Sequence, residues 1–263
     1  MIFMKNLFFL SGLPRSGSTL LGSILNQNPD IYCTPTSPLS DLLVMIDQSF
    51  DHLDFQYTYE KEKITKNTYK ALLANFYDHV DKPYIFDKHR AWPRNLGAVE
   101  RFTTTVPKVI ATTRRISEIL ASYISLIEKN NNSDNFVDNH LRSIGKEITL
   151  DNRVEILWKN YVSDPYSGLV YGLNHHCDNI HLIDYNDLTD NPEEELFKIY
   201  QFLEIPSYEH SFSHIKNTCA ESKDSAWGLD HLHDIRSSLG RTNKPPEEII
   251  GEYNTKLYDS FNI

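Results

Sequence analysis

The residues best suited to chemistry by type and spacing form a loop near the N-terminus, Gly12-Leu-Pro-Arg-Ser-Gly-Ser-Thr19. Its frame, G-x-x-x-x-G-x-T, is a phosphate-loop pattern in which Ser18 stands where a nucleotide triphosphatase carries lysine. The two glycines permit the turn, successive backbone N–H groups face an anion, and the N-terminus of the following helix adds positive potential. Arg15 supplies a side-chain cation. The loop therefore predicts a phosphate or sulfate site.

A second anion site is indicated further along the chain. Arg114 follows the apolar run 108–112, and Ser122 lies eight residues later, about two helical turns on. Ligands of parallel α/β sheets bind at the carboxyl ends of the strands, where an arginine and a hydroxyl can hold a dianionic phosphate. The apolar run 179–183 is likewise followed by Tyr185. Each of these features taken alone is equally typical of ordinary helix starts.

Together the three motifs resemble the sulfotransferase family, whose donor is 3′-phosphoadenosine-5′-phosphosulfate (PAPS) and whose nucleotide product is adenosine 3′,5′-bisphosphate (PAP). The resemblance spans residues 7–203. It implies a 5′-phosphosulfate loop, a 3′-phosphate pair, an adenosine contact and a basic C-terminal stretch over the 3′-phosphate. The implied residues are, in that order, Arg15, Ser16, Gly17, Ser18 and Thr19; Arg114 and Ser122; Tyr185; and Arg236 and Arg241, with Lys244 as a further candidate.

The same resemblance indicates the catalytic groups. Sulfuryl transfer is helped by a base that takes the acceptor proton and by a cation on the leaving oxygen. Ile85-Phe-Asp-Lys-His-Arg90 resembles the family segment that supplies the cation, so Lys88 is expected in that role and His89 is a candidate base. Cytosolic members place histidine two residues after the lysine, and protein-tyrosine sulfotransferases use a glutamate after the first helix. Residues 33–37 contain no acid, so the base stays open.

Two rival functions remain at this stage. A nucleotide kinase or related phosphate-loop enzyme would need the missing lysine and a magnesium-binding acid. A nucleotide-binding module without catalysis is favoured only by the absence of an acid after the first helix. The histidine pair His175-His176 has no third ligand at a recognisable spacing, so no metal is expected.

The elements that position these residues alternate between short apolar runs and amphipathic stretches. This alternation predicts an α/β fold, a P-loop-like three-layer α/β/α arrangement with a central parallel sheet of about four or five strands. Residues 1–263 are expected to form a single domain whose part 205–263, partly loop, completes the nucleotide site. The strand ending at Lys88 is expected beside the strand that precedes Arg114. Residues 51–66 are expected to be a mobile excursion without regular structure.

Composition limits the partners. The chain has 263 residues, a net charge of -10 and a pI near 5.5, which disfavours binding to bulk nucleic acid. No stretch reaches transmembrane length, and three cysteines are too few for a disulfide framework, so a cytoplasmic protein is predicted. The expected acceptor is a small molecule, peptide or glycan with a hydroxyl or amine. The sequence leaves its identity and the oligomeric state open.

Overall fold

A parallel β-sheet forms the centre of the protein. The computed structural model describes residues 6–52, 57, 60–102, 106–130, 134–219, 224, 228–240 and 244–263. Within them the sheet has five strands in the order β2-β3-β1-β4-β5, and all neighbouring strands are parallel. The strands are β1 Asn6–Gly12, β2 Ile31–Thr36, β3 Tyr84–Lys88, β4 Val109–Thr113 and β5 Ile180–Asp184. The predicted α/β fold with a central parallel sheet is confirmed.

Helices cover both faces of this sheet. In chain order they are α1 Ser18–Leu25, α2 Leu39–Phe50, α3 Lys61–Asn75, α4 Trp92–Phe102, α5 Ile116–Asn130, α6 Phe136–Ser143, α7 Leu150–Leu157, α8 Ser163–His175, α9 Tyr185–Asp190, α10 Pro192–Leu203 and α11 Pro246–Asp259. A π-helical turn, Trp158–Val162, joins α7 to α8. Alternate residues of β1 serve the two faces, since Phe9 packs in one core and Phe8 and Leu10 pack in the other.

The two cores divide the helices between the layers. Leu21 of α1 and Ile199 of α10 are buried with Leu10 on one face. Trp92 of α4 and Ile124 of α5 are buried on the opposite face. The three-layer α/β/α arrangement predicted from the sequence therefore holds, with the apolar strand β1 buried between both helical layers.

The register of the sheet determines how the candidate residues are spaced. Leu10 of β1 lies opposite Lys88 on one side and Ile110 on the other. Strand β1 therefore separates the strand of Lys88 from the strand that precedes Arg114, and the expectation that these two strands are neighbours is wrong. Strand β1 pairs with β3 on one edge and with β4 on the other, so it takes the centre and its loop lies between the two cations.

Two further segments differ from the sequence-based expectation. Residues 61–66 begin helix α3, so the excursion expected over 51–66 is wrong for that part; residues 53–56, 58 and 59 lie outside the described residues. Strand β2 was not expected at all. At the other end of the chain, residues 204–245 contain no α-helix or named strand in their described parts, and α11 then packs mainly against α5.

Candidate active site

The phosphate loop connects β1 to α1 at the carboxyl edge of the sheet. Gly17 is the N-cap of α1 with φ 91°, and a Cβ atom there would lie 2.7 Å from Cδ2 of Tyr185. Glycine is thus required both by the left-handed backbone and by the close approach of the tyrosine ring. The first N–H groups of α1 have no partners within the helix, as at any helix start. They face a cavity of about 990 Å³ (the larger cavity), which Gly17, Ser18 and Thr19 help to line.

Ser16 holds this loop in shape. Its fully buried hydroxyl lies 2.6 Å from the Leu13 carbonyl oxygen and 3.0 Å from the Thr112 carbonyl oxygen. It also lies 2.6 Å from the Thr112 hydroxyl. The side chain is thereby committed to the link between the loop and β4. Ser16 does not line the larger cavity, so it acts on a bound anion through the shape of the loop.

The larger cavity has a volume of about 990 Å³ and runs along the carboxyl ends of β1, β3 and β4. Most of the residues predicted from the sequence meet in it. They are Arg15, Gly17, Ser18, Thr19, Lys88, His89, Arg114, Ser122, Tyr185, Arg236 and Lys244. Arg241 lies outside the described residues. The fold therefore brings predicted cations from four separate segments of the chain to one cavity.

Lys88 ends β3 and points toward the phosphate loop. Its ammonium donates to Thr19 Oγ1 at 3.0 Å and reaches the Cys219 carbonyl oxygen at 3.5 Å. The residue is only 7% exposed. Both of these partners are neutral, and no ion pair of Lys88 occurs in the described part of the chain. Its positive charge is therefore directed at the start of α1.

Arg15 and Ser122 meet directly, although 107 residues separate them. Arg15 Nε donates to Ser122 Oγ at 3.2 Å, and Nη1 donates to the Leu232 carbonyl oxygen. Burial lowers the pKa of Arg15, and the charge of Arg114 lowers it further. The side chains assigned by resemblance to the 5′ and 3′ ends of a nucleotide thus share one corner of the cavity.

Arg114 is held by groups that sequence reasoning missed. Its Nε donates to Glu118 Oε2 at 2.9 Å, one helical turn along α5, and Nη1 donates to the Arg15 carbonyl oxygen at 3.3 Å. The guanidinium also lies 4.5 Å from the ring centroid of Tyr185. Arg114, Tyr185 and the phosphate loop consequently form one contiguous surface. Glu118 could have been found from its i,i+4 spacing to Arg114, the usual spacing of a helical ion pair.

His89 lies where the larger cavity meets a smaller one of about 460 Å³. The backbone N–H of Ala91 donates to His89 Nδ1 at 3.2 Å, and His89 Nε2 lies 3.4 Å from Asp41 Oδ1. Asp41 comes from α2, which follows the acid-free segment 33–37. Phe136 and Tyr161, with ring centroids 4.5 Å apart, form an aromatic wall of the smaller cavity.

The described residues of the irregular stretch 204–245 border the larger cavity beside the phosphate loop. Arg236 lines the larger cavity and donates to the Gly240 carbonyl oxygen at 2.9 Å. His233 lines both cavities and is paired with Asp224. No sequence signal pointed to this second histidine, because its stretch has neither a periodic pattern nor a motif.

The comparison with family models decides the class of protein. The sulfotransferase family model matches residues 8–210, which is more than half of the 263-residue chain. The chain belongs to the sulfotransferase family. The phosphate loop, Lys88, the Arg114–Ser122 pair and Tyr185 all lie within the matched range of this sulfotransferase, whereas His233 lies beyond it. Membership in this family favours an enzyme that transfers a sulfuryl group over the two rival functions, a nucleotide kinase and a nucleotide-binding module without catalysis.

Solved structures resemble the sulfotransferase at low sequence identity. The sulfotransferase domain from the curacin biosynthetic pathway is 16% identical with a TM-score of 0.48, covering 98% of this chain and 92% of that one. The sulfotransferase from Alicyclobacillus acidocaldarius is 16% identical with a TM-score of 0.46, covering 84% and 87%. Mouse sulfotransferase SULT7A1 complexed with PAP is 16% identical with a TM-score of 0.45, covering 78% and 59%. No curated protein gives a significant match.

Neither a membrane-spanning helix nor a cluster of metal-binding side chains occurs among the described residues of this sulfotransferase. None of the helices they contain has the length and apolar character needed to cross a membrane. Among the same residues, no three His, Cys, Asp or Glu side chains are grouped so that they could hold a metal ion. The predicted independence from metal is a matter for assay.

Proposed function

We propose that this sulfotransferase takes its sulfuryl group from PAPS and that PAP is the product left in the larger cavity. One observation carries the proposal. At the carboxyl edge of β1, β3 and β4, the N-terminus of α1 faces a cavity that is also lined by Lys88, Arg15 and Arg114. A nucleotide with anionic groups at both its 5′ and 3′ positions matches that distribution of donors.

The donor set fits such a nucleotide part by part. The 5′-phosphosulfate would lie against the backbone of Gly17, Ser18 and Thr19, with Ser16 keeping the loop in shape. The 3′-phosphate would contact Arg114 and Ser122. Arg15, which lies between these groups, can serve either phosphate. The adenosine would lie beside the ring of Tyr185, and Arg236 and Arg241 from the stretch 205–263 would complete the site.

Lys88 is proposed as the catalytic cation. Transfer breaks the bond between sulfur and the oxygen that bridges it to the 5′-phosphate, and negative charge accumulates on that oxygen. Lys88 Nζ lies 3.0 Å from the hydroxyl of Thr19 at the start of α1, the place where the phosphosulfate would lie. A cation there stabilises the transition state more than the ground state, which is what raises the rate.

The smaller cavity is proposed as the acceptor pocket. It shares His89, Tyr123 and His233 with the larger cavity, so a group bound in it borders the donor site. Its volume of about 460 Å³ falls within the range of pockets that bind small organic molecules. The acceptor would present a hydroxyl or amine, either as a small molecule or as the end of a peptide or glycan. A cytoplasmic location remains part of the proposal.

The test has a binding part and a transfer part. Calorimetry should show that PAP binds at least tenfold more tightly than adenosine 5′-phosphate, because only PAP carries the 3′-phosphate. Equal affinities would count against the proposal. With donor labelled in the sulfuryl group, a screen of phenols, alcohols, amines and oligosaccharides should then transfer label in the presence of EDTA, and loss of transfer in EDTA would overturn the prediction that no metal is needed.

A further inference from the structure

Two buried cysteines lie side by side next to α1, the helix that follows the phosphate loop. Cys33 belongs to β2 and Cys219 to the irregular stretch 204–245, and their sulfur atoms are 3.5 Å apart. Both side chains are buried and both thiols are free. Gly22 of α1 leaves room for them, because a Cβ atom there would lie 2.6 Å from Cys219 Sγ and 2.8 Å from Cys33 Sγ. The two sulfurs are therefore packed against each other and against α1.

The backbone is held more firmly at one cysteine than at the other. Cys33 is paired with β3 in the sheet, and the Asn26 side chain bonds both its N–H, at 2.7 Å, and its carbonyl oxygen, at 3.0 Å. Cys219 lies outside the helices and named strands. The neighbouring Thr218 N–H donates to Ser23 Oγ at 3.2 Å. Because the sheet fixes Cys33, any approach of the two sulfurs must be made mainly by Cys219.

Cys219 is also in contact with the proposed catalytic cation. Lys88 Nζ reaches the Cys219 carbonyl oxygen at 3.5 Å, and the same ammonium donates to Thr19 Oγ1. Cys219 Sγ lies 2.9 Å from the Thr34 carbonyl oxygen, and Thr34 Oγ1 accepts a hydrogen bond from the backbone N–H of Lys88 at 2.9 Å. A displacement of Cys219 would therefore reach Lys88 by two routes, its own carbonyl and Thr34.

The two thiols differ in acidity. Burial raises the pKa of Cys33. The hydrogen bond with Cys33 lowers the pKa of Cys219 against the effect of burial, and the charge of Lys88 lowers it further. The thiolate is the form that reacts with oxidants. Cys219 is therefore the thiol that reacts first, and Cys33 is placed to attack the oxidised sulfur.

We infer that Cys33 and Cys219 form a site of reversible disulfide formation and that the oxidised chain transfers sulfuryl groups more slowly; the effect on the rate rests on the proposed function. The oxidant is hydrogen peroxide. The Cys219 thiolate attacks one peroxide oxygen, the O–O bond breaks, and a sulfenic acid and one water molecule result. The Cys33 thiolate then attacks that sulfur, and a second water molecule leaves as the disulfide forms. Two thiols and one peroxide thus give one disulfide and two water molecules.

The position of the pair explains both its access to the oxidant and its effect on the rate. Lys88 lines the larger cavity and contacts Cys219, so the pair lies one residue away from that cavity, and hydrogen peroxide is little larger than water. Bringing the sulfurs to bonding distance moves Cys219, and its carbonyl then shifts relative to the Lys88 ammonium. A misplacement of about 1 Å can lower a rate about 100-fold. In a reducing compartment such a disulfide is transient, so the rate recovers on reduction.

The first test counts thiols. Cys177→Ser removes the third cysteine, which is exposed, so that the pair alone is titrated. In denaturant, Ellman's reagent should detect both thiols before treatment with hydrogen peroxide, neither after it, and both again after dithiothreitol. Peptide mass spectrometry should find Cys33 and Cys219 in one linked fragment. Thiols that stay titratable after peroxide, or that dithiothreitol fails to restore, would overturn the inference.

The second test measures turnover after the peroxide has been removed. With PAPS labelled in the sulfuryl group and water as the acceptor, oxidised Cys177→Ser should release label at least about tenfold more slowly than the reduced protein. Dithiothreitol should restore the rate. Cys33→Ala in the same background is the matched control, because it keeps Cys219 and its contact with Lys88 but forms no disulfide; its rate should be the same before and after peroxide. Cys219→Ala serves as the second control if thermal melting shows that the first is unfolded.

The outcomes separate the disulfide from the donor assignment. A disulfide that forms without slowing the release of label would overturn the effect on the rate. Slowing that also occurs in the control variant would assign the loss to other oxidised side chains and would overturn it as well. If the reduced chain neither binds PAP nor releases label, the proposed function fails, whereas the thiol count still decides whether Cys33 and Cys219 form a disulfide.

Discussion

Replacing Lys88 by methionine separates a cation that acts in the transition state from one that merely binds the donor. Methionine keeps the length of the side chain in a position that is 7% exposed, so the packing under the phosphate loop should survive. What is lost is the charge that lies 3.0 Å from Thr19 Oγ1. The hydrogen bond to Thr19 is lost with the charge, whereas the other contacts of the loop, of α1 and of Arg114 and Ser122 do not involve Lys88.

The size of the effect follows from the surroundings of the ammonium. The Thr19 hydroxyl and the Cys219 carbonyl, which its ammonium contacts, are both neutral, so its charge is available to the bridging oxygen. Removing one preorganised donor to a developing oxyanion costs about 2.7–4 kcal/mol. At about 1.4 kcal/mol per tenfold change, kcat should fall by roughly 100- to 1000-fold. Affinity for PAP should change by no more than about threefold.

The assay pairs calorimetry with single-turnover transfer of labelled sulfuryl group, after thermal melting has shown that the variant is folded. Lys129→Met is the matched control, because Lys129 also lines the larger cavity but is solvent-exposed. Loss of that charge should change kcat less than about threefold, since solvent screens it. The reasoning is refuted if Lys88→Met keeps kcat within tenfold of wild type, or if PAP affinity falls by the same factor as kcat.

Three further outcomes are expected. Arg15→Ala should weaken PAP binding by about 1.5–3 kcal/mol, the value of a hydrogen bond to a charged group; unchanged calorimetric affinity would remove Arg15 from the site. Arg114→Ala should abolish the preference for PAP over adenosine 5′-phosphate, and Ser122→Ala should reduce it; a full preference in the Arg114 variant would contradict the 3′-phosphate assignment. Asp138→Asn should lower the free energy of unfolding at pH 7 by about 1.5–3 kcal/mol, because it weakens the charge-assisted hydrogen bonds at 2.7 and 2.8 Å between the buried Asp138 carboxylate and the partly exposed Arg153. Burial tends to raise the pKa of Asp138, but its hydrogen bonds outweigh burial and lower that pKa. The stability that the Asp138 carboxylate contributes is therefore present above the ordinary aspartate pKa and is lost as pH falls through the lowered pKa. In urea denaturation, the unfolding free energies of wild type and variant should converge in acid, and a difference that stays constant with pH would contradict the assignment.

The sequence predicted strands β1, β3, β4 and β5, because each contains a short, largely apolar run, and strands covered by helices on both faces are rich in Ile, Val, Leu and Phe. It missed β2, Ile31–Thr36, which contains Pro35 and two threonines. Proline removes a backbone donor and is tolerated at a sheet edge. Strand β2 lies at that edge, beside β3 alone, so the feature that hid it from the sequence is explained by its position.

The candidate site was predictable where a residue follows a strand directly. Lys88 and Arg114 end or follow strands, and the phosphate loop lies between a strand and a helix, so their meeting at one edge follows from the parallel sheet. Asp41 and Asp224 were not predictable in this way. Each reaches a histidine through the packing of a helix or an irregular stretch, and no periodicity in the sequence encodes that contact.

The central place of β1 also has a consequence for how the chain folds. β1 leaves the ribosome before both of its partners, β3 and β4, which begin at Tyr84 and Val109. Until both partners have been made, at least one backbone edge of the strand Asn6–Gly12, with its two phenylalanines and two leucines, has no neighbour and can pair with other chains. Sheet formation must wait for these distant contacts, which slows folding. Expression at low temperature or with chaperones should therefore increase the soluble yield of this protein more than substitutions at its surface would.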